Sequence, residues 1–143
     1  MFRCRRAALS TVLFLCTAVA AIAGHGAHEN APTVTVSAEY VKERAAGSQK
    51  TALIDVRSLQ EYKAGHIPGA VNIPSSAVKM LKDRLPKDAS TLIIIYARGD
   101  SHSPTDTAFN AVFKMGYKNL KLFRGGVRAW IGKKYTMKKG TQP

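Results

Sequence analysis

Thr91-Leu92-Ile93-Ile94-Ile95-Tyr96 is the stretch that decides the fold. It is apolar, rich in β-branched residues and does not alternate with polar ones, which predicts a central parallel strand buried on both faces. A polar loop, Ala97–His102, follows. Ser103-Pro104-Thr105-Asp106 then reads as an N-cap, a proline in the first helical position and an acid in the first turn. The helix it opens is expected to turn Ala108, Phe109, Val112, Phe113 and Met115 inward and to stop at Gly116. On the N-terminal side, Ala52–Val56 predicts a buried strand. Ser58-Leu59-Gln60-Glu61 is a capping box for a short helix closed by Gly65. Ala70–Ile73 is a brief strand ended by Pro74, and Ser75 or Ser76 caps a helix running to about Leu85. Further out, Val34 and Val36 mark a short first strand, and Ser37 caps a helix through about Ala45. On the C-terminal side, Leu120–Phe123 is the last strand, and Val127–Ile131 starts a helix that docks Trp130. Strands alternating with helices predict an α/β fold, a central, mostly parallel five-stranded sheet flanked by helices, in one domain over 33–143.

The chain has 143 residues, 22 Lys and Arg against 9 Asp and Glu, and a formal charge of +13. Arg3, Arg5 and Arg6 precede an uncharged, mostly apolar run from Ala7 to Ala23, the pattern of a secretory signal peptide cut near Ala23. The run is short for a membrane span, which needs about 20 residues. Residues 1–23 are therefore expected to be a signal, 24–32 a flexible leader, and the destination periplasmic or secreted. A membrane is met only if the signal stays uncleaved. The two cysteines, Cys4 and Cys16, both leave with the signal, so the exported domain has neither thiol nor disulfide. Beyond Asp106 every charged residue from Lys114 to Lys139 is basic. Such a field favours a small anion or an acidic protein partner and is screened by salt. Export argues against nucleic acid.

In open α/β sheets, ligands bind past the carboxyl ends of the strands, where loops run into helix N-termini. The loop after Tyr96 is that place, and successive backbone N–H groups there form an anion cradle. A cysteine at its base would have its thiolate stabilised and become a nucleophile.

Asp55-Val56-Arg57, Glu61-Tyr62, the run Gly65-His66-Ile67-Pro68-Gly69-Ala70-Val71-Asn72-Ile73-Pro74 and Gly125-Gly126-Val127-Arg128-Ala129-Trp130 together resemble the signature of rhodanese-like domains. The likeness covers about residues 33–140. It implies a cysteine directly after the central strand that accepts sulfur from thiosulfate or a persulfide and passes it on. Here that position holds Ala97, whose methyl group neither ionises nor accepts sulfur. The family's common loop also carries a glycine and an arginine where this chain has Asp100 and His102. A longer-looped pattern, Cys-x-Gly-x-x-Cys, matches at Gly99 and loses both cysteines, as Ala97 and His102. No catalytic residue is therefore assigned. The binding candidates are Arg57, Arg98, Gly99, Asp100, Ser101, His102 and Ser103. Asp100 repels an anion in the cradle, an effect that Arg98 or His102 offsets. Arg57 either pairs an anion at the mouth or forms a structural ion pair with a carboxylate such as Glu61. Asp55 is expected to be a fold-stabilising acceptor, and His66, by the family resemblance, to satisfy loop backbone groups. His102 adjoins Ser101 and Ser103 in sequence, which does not give a serine nucleophile its base. No ligand spacing marks a metal site, and no cofactor is expected. The expected function is non-catalytic binding of an anion or a protein. The alternative is rhodanese-type sulfur transfer, or an accessory role in periplasmic sulfur metabolism.

Overall fold

The computed structural model describes residues 32–47, 50–77 and 83–143. The signal-like segment 1–23, the leader as far as residue 31 and the middle of the helix expected before Leu85 lie outside them. Of that helix, Ser75–Ala77 form a short 3₁₀ turn.

The elements run α1 (Ala38–Ala46), β1 (Thr51–Asp55), α2 (Leu59–Ala64), β2 (Ala70–Asn72), β3 (Leu92–Tyr96), α3 (Ser103–Lys114), β4 (Leu120–Phe123) and α4 (Gly126–Gly132). The sheet order is β2-β1-β3-β4, with every pairing parallel. Among the described residues four strands stand where five were expected. The segment around Val34 and Val36 reaches the edge of β4 only through the bridge Thr35↔Leu122, with Val36 N–H donating to Leu122 O and Leu122 N–H to Val34 O. The strand cannot lengthen, because Ser37 already caps α1 by accepting from Tyr40 N–H at 3.3 Å.

All five residues of β3 are buried. Ile93 and Ile95 face a core with Ile54, Val56, Leu122, Phe109 and Val112, under α3. Leu92, Ile94 and Tyr96 face the other side, with Leu53, Phe123, Val41, Tyr62 and Trp130 from α1, α2 and α4. Burial on both faces is why this strand shows no alternation. Met115, expected inward, is 37% exposed, since it is the C-cap of α3 and has left the helix face that Phe109 and Val112 define.

Candidate functional site

The carboxyl ends of β1 and β3 lie side by side, Asp55 against Tyr96, and the chain turns away from the sheet after each. Asn72 pins the first turn: its Nδ2 donates to Asp55 O at 3.1 Å and to Arg57 O at 2.9 Å. The fully buried Asp55 carboxylate accepts from Arg57 N–H at 2.9 Å, from its Nε at 3.0 Å and from its Nη2 at 2.6 Å. Arg57 Nη2 also donates to Gly65 O at 2.7 Å. Burial of the guanidinium works against its charge, but the Asp55 carboxylate more than offsets this and leaves the Arg57 pKa raised. The carboxylate that holds Arg57 is thus Asp55, two residues away, and not Glu61. With its side chain 9% exposed, Arg57 is folded back rather than reaching outward.

Glu61 belongs to Arg98 instead, with Nη2 to Oε1 at 2.5 Å. Ser58 Oγ donates to the second carboxylate oxygen at 3.0 Å, within the capping box that opens α2. Partial burial pushes the Glu61 carboxyl up, but the donors Arg98 and Ser58 pull it below its ordinary value.

The loop after β3 is set by its contact with the start of α4. Ala97 O accepts from Val127 N–H at 3.0 Å and Arg98 O from Arg128 N–H at 2.9 Å. Gly99 has φ +109°, and a Cβ there would lie 2.1 Å from Gly125 O; Gly126 has φ +52°, and a Cβ would lie 2.3 Å from Ala97 O. Two backbones touch where no side chain fits. The carbonyls of Ala97 and Arg98 are spent on α4, while the N–H groups from Arg98 to Ser103 donate to no acceptor among the described residues. The loop enters α3 through His102, which is already helical (φ −90°, ψ −24°) and caps nothing with its side chain. Ser103, expected as the cap, is the first residue of the helix. Thr105 Oγ1 instead donates to His102 O at 2.7 Å.

Between the two turns lies a cleft of about 450 Å³. Of the sequence candidates, Arg57, Arg98, Asp100 and Ser101 line it, with the 5%-exposed Ala97 at its base. Gly99, His102 and Ser103 are not in its lining: Gly99 serves the close approach to α4, and the other two face solvent at the start of α3. Sequence reasoning missed Ser58, Glu61 and Ser75 as cleft residues. Their signal was position, since Ser58 and Glu61 follow β1 as directly as Arg57 does. In charge the cleft is balanced, with two guanidiniums against Glu61 and Asp100, and both guanidiniums are engaged by carboxylates. Its free chemistry is the backbone N–H groups of Arg98, Asp100 and Ser101 and the hydroxyls of Ser75 and Ser101. It holds no thiol. His66 sits behind it, stacked on Tyr62 at 3.7 Å, with Nδ1 2.9 Å from Tyr62 O and Nε2 3.0 Å from Gln142 O.

Comparison with known proteins gives this geometry its context. The chain is 30% identical over 111 residues to the Bacillus subtilis protein named "Putative sulfur carrier protein YrkF", covering 77% of this chain and 58% of that one. The chain thus spans little more than half the length of that relative. It is 28% identical over 95 residues to a sulfurtransferase of Allochromatium vinosum, covering 66% of this chain and 85% of that one. The crystal structure of the Alr3790 protein from Anabaena superposes with a TM-score of 0.63 at 26% identity, covering 73% of this chain and 82% of that one. The rhodanese-like domain family matches residues 37–133, a span that starts at the Ser37 cap, takes in all four strands and both turns of the cleft, and closes just past α4. By that match, the chain belongs to the family of rhodanese-like domains.

Proposed function

We propose that this is an exported rhodanese-like domain that binds rather than transfers. In this reading the cleft over β1 and β3 receives a small anion or an acidic segment of a protein partner, and no sulfur passes through residue 97. The observation that carries it is the methyl group of Ala97 at the base of the cleft. Sulfur transfer needs a side chain that ionises, attacks and then holds sulfur, and the chain's thiols, Cys4 and Cys16, both belong to the signal-like segment. The charge pattern favours the protein segment over a free anion. Arg57 and Arg98 are engaged by carboxylates, and Asp100 opposes a compact anion, whereas a carbonyl or carboxylate on a peptide finds the N–H groups of Arg98–Ser103. The basic run from Lys114 to Lys139 adds long-range attraction for acidic partners.

The relatives named sulfurtransferase and sulfur carrier favour a second reading, in which the domain takes part in periplasmic sulfur transfer after all. One experiment separates the two: a thiosulfate:cyanide sulfurtransferase assay on the secreted protein, with mass spectrometry for a persulfide. The expected result is thiocyanate formation no faster than with heat-denatured protein, and no adduct. Turnover above that control overturns the binding reading and supports the second. N-terminal sequencing of the secreted protein is expected to begin near Gly24; retention of Arg3–Ala23 would refute export by cleavage.

A further inference from the structure

The cleft is not the most cationic recess of the molecule. At the opposite end of the sheet, where the strands begin, a pocket of about 320 Å³ is lined by Tyr40 and Arg44 of α1, Lys50 and Thr51 at the start of β1, and Asn119 and Lys121 at the start of β4. Three cations converge on it, and among the described residues no carboxylate lines it. Asp88, which contacts two of the lining residues, is already occupied: Ser90 donates to its Oδ1 through N–H at 2.9 Å and Oγ at 2.6 Å, and Lys50 Nζ stands 3.7 Å from Oδ2. That Lys50 pair is exposed and weak. The Tyr40 ring holds two of the cations in place, with the Arg44 guanidinium 5.1 Å and the Lys121 ammonium 5.7 Å from its centre.

Two polar atoms in this lining are buried without a hydrogen-bond partner, Arg44 Nε and Thr51 Oγ1. A buried polar atom without a partner is costly, and two of them beside three like charges make an arrangement suited to an anion. We propose that this pocket binds a small, multiply charged oxyanion of the phosphate or sulfate class. Arg44, Lys50 and Lys121 supply the charge, and Thr51 Oγ1 and Arg44 Nε donate to its oxygens. The volume exceeds that of one tetrahedral ion, so the group is either free or the head of an ester. The site is separate from the Ala97 cleft and does not depend on the function proposed for it.

The test is a titration of the whole chain with inorganic phosphate, sulfate and glycerol 3-phosphate, at ionic strength held constant with chloride, followed by amide NMR and calorimetry. Saturable shifts are expected at Thr51, Leu92, Asn119 and Lys121, with the amides of Arg98–Ser103 unmoved. Arg44→Gln and Lys121→Gln should each weaken binding roughly ten-fold. Lys50→Gln alters a side chain that is 84% exposed, leaves the fold intact and should also weaken binding. Tighter binding of glycerol 3-phosphate than of either ion identifies an ester headgroup; equal or weaker binding identifies the free ion. Shifts matched by chloride, confined to the Ala97 loop, or undiminished in all three variants overturn the proposal.

Discussion

Ala97 puts a methyl group where sulfur transfer needs a thiol, and its surroundings show what a thiol there would experience. Ala97 is nearly buried, which pushes a thiol pKa up, whereas the unspent N–H groups of Arg98–Ser103 stabilise a thiolate and push it down. Asp100 and Glu61 in the lining oppose the thiolate. Ala97→Cys should therefore give a thiol that reacts with iodoacetamide at pH 7 faster than free cysteine, whose pKa is about 8.5. Adding Asp100→Asn should speed alkylation several-fold further, by removing one repelling charge. Rates against pH for both variants decide this, and a thiol slower than free cysteine would mean that burial outweighs the loop donors. The sequence made this position legible because the strand before it and the helix after it were unmistakable. It did not reveal which carboxylate holds which arginine. Asp55 and Arg57 are two residues apart and pair only because the chain turns after Val56, a fact of three dimensions that the linear order leaves open between Asp55 and Glu61.

The elements divide in the same way. Strands β1 to β4, the capping box of α2 and the Ser37 cap of α1 were readable, since burial pattern and capping chemistry are local. The fifth strand was not, because its length depends on how soon Ser37 pulls the chain into α1. The loop's dependence on α4 was hidden as well: Gly125-Gly126 stood out as a motif, but that Gly125 O, the Gly126 α-carbon and the amides of Val127 and Arg128 face Ala97–Gly99 is a long-range contact. Gly126→Ala puts a Cβ 2.3 Å from Ala97 O at a left-handed φ. It should cost about 2 kcal/mol in urea unfolding and broaden the amide signals of Arg98–Ser103; an unchanged midpoint would show that the loop does not lean on α4. A second inter-element tie is pH-dependent. The hydrogen bond from Lys133 lowers the Glu39 carboxyl from 4.5 to about 2 and joins α1 to α4 across 2.7 Å. Because the folded value is the lower one, this stabilisation is present above about pH 4.5 and is lost as pH falls toward 2. The tie is exposed and its contribution small. Wild type should exceed Glu39→Gln in urea midpoint at pH 7 and low salt, and the two should converge by pH 2.

At the scale of the molecule, the family match ends at residue 133, yet the chain beyond it is built into the fold. In sequence this stretch was only a Lys-rich tail, for nothing in its composition says which element of the fold it packs against. In the structure Trp130 Nε1 donates to Thr136 O at 2.9 Å, and the chain then returns beneath α2. His66 and Lys138 exchange both backbone hydrogen bonds at 2.9 Å, and Gly140 N–H donates to Lys63 O at 3.0 Å. Gln142 O meets His66 Nε2, so the segment also covers the buried His66 imidazole. Met137 packs with the partly buried residues on that face. Removing residues 137–143 while keeping Thr136 deletes these three backbone bonds and strips His66 of a partner. At about 1 kcal/mol for each bond, with a further penalty for the bared imidazole, the loss should be about 4 kcal/mol. Urea unfolding of the truncated protein measures it, and hydrogen exchange locates it. Protection should fall first at Tyr62–Ile67, on the α2 side of the cleft, while β3 and β4 hold theirs. A truncated chain with the full-length midpoint would mean that the sheet and helices α1 to α4 are self-sufficient and that the basic tail is held only loosely against them.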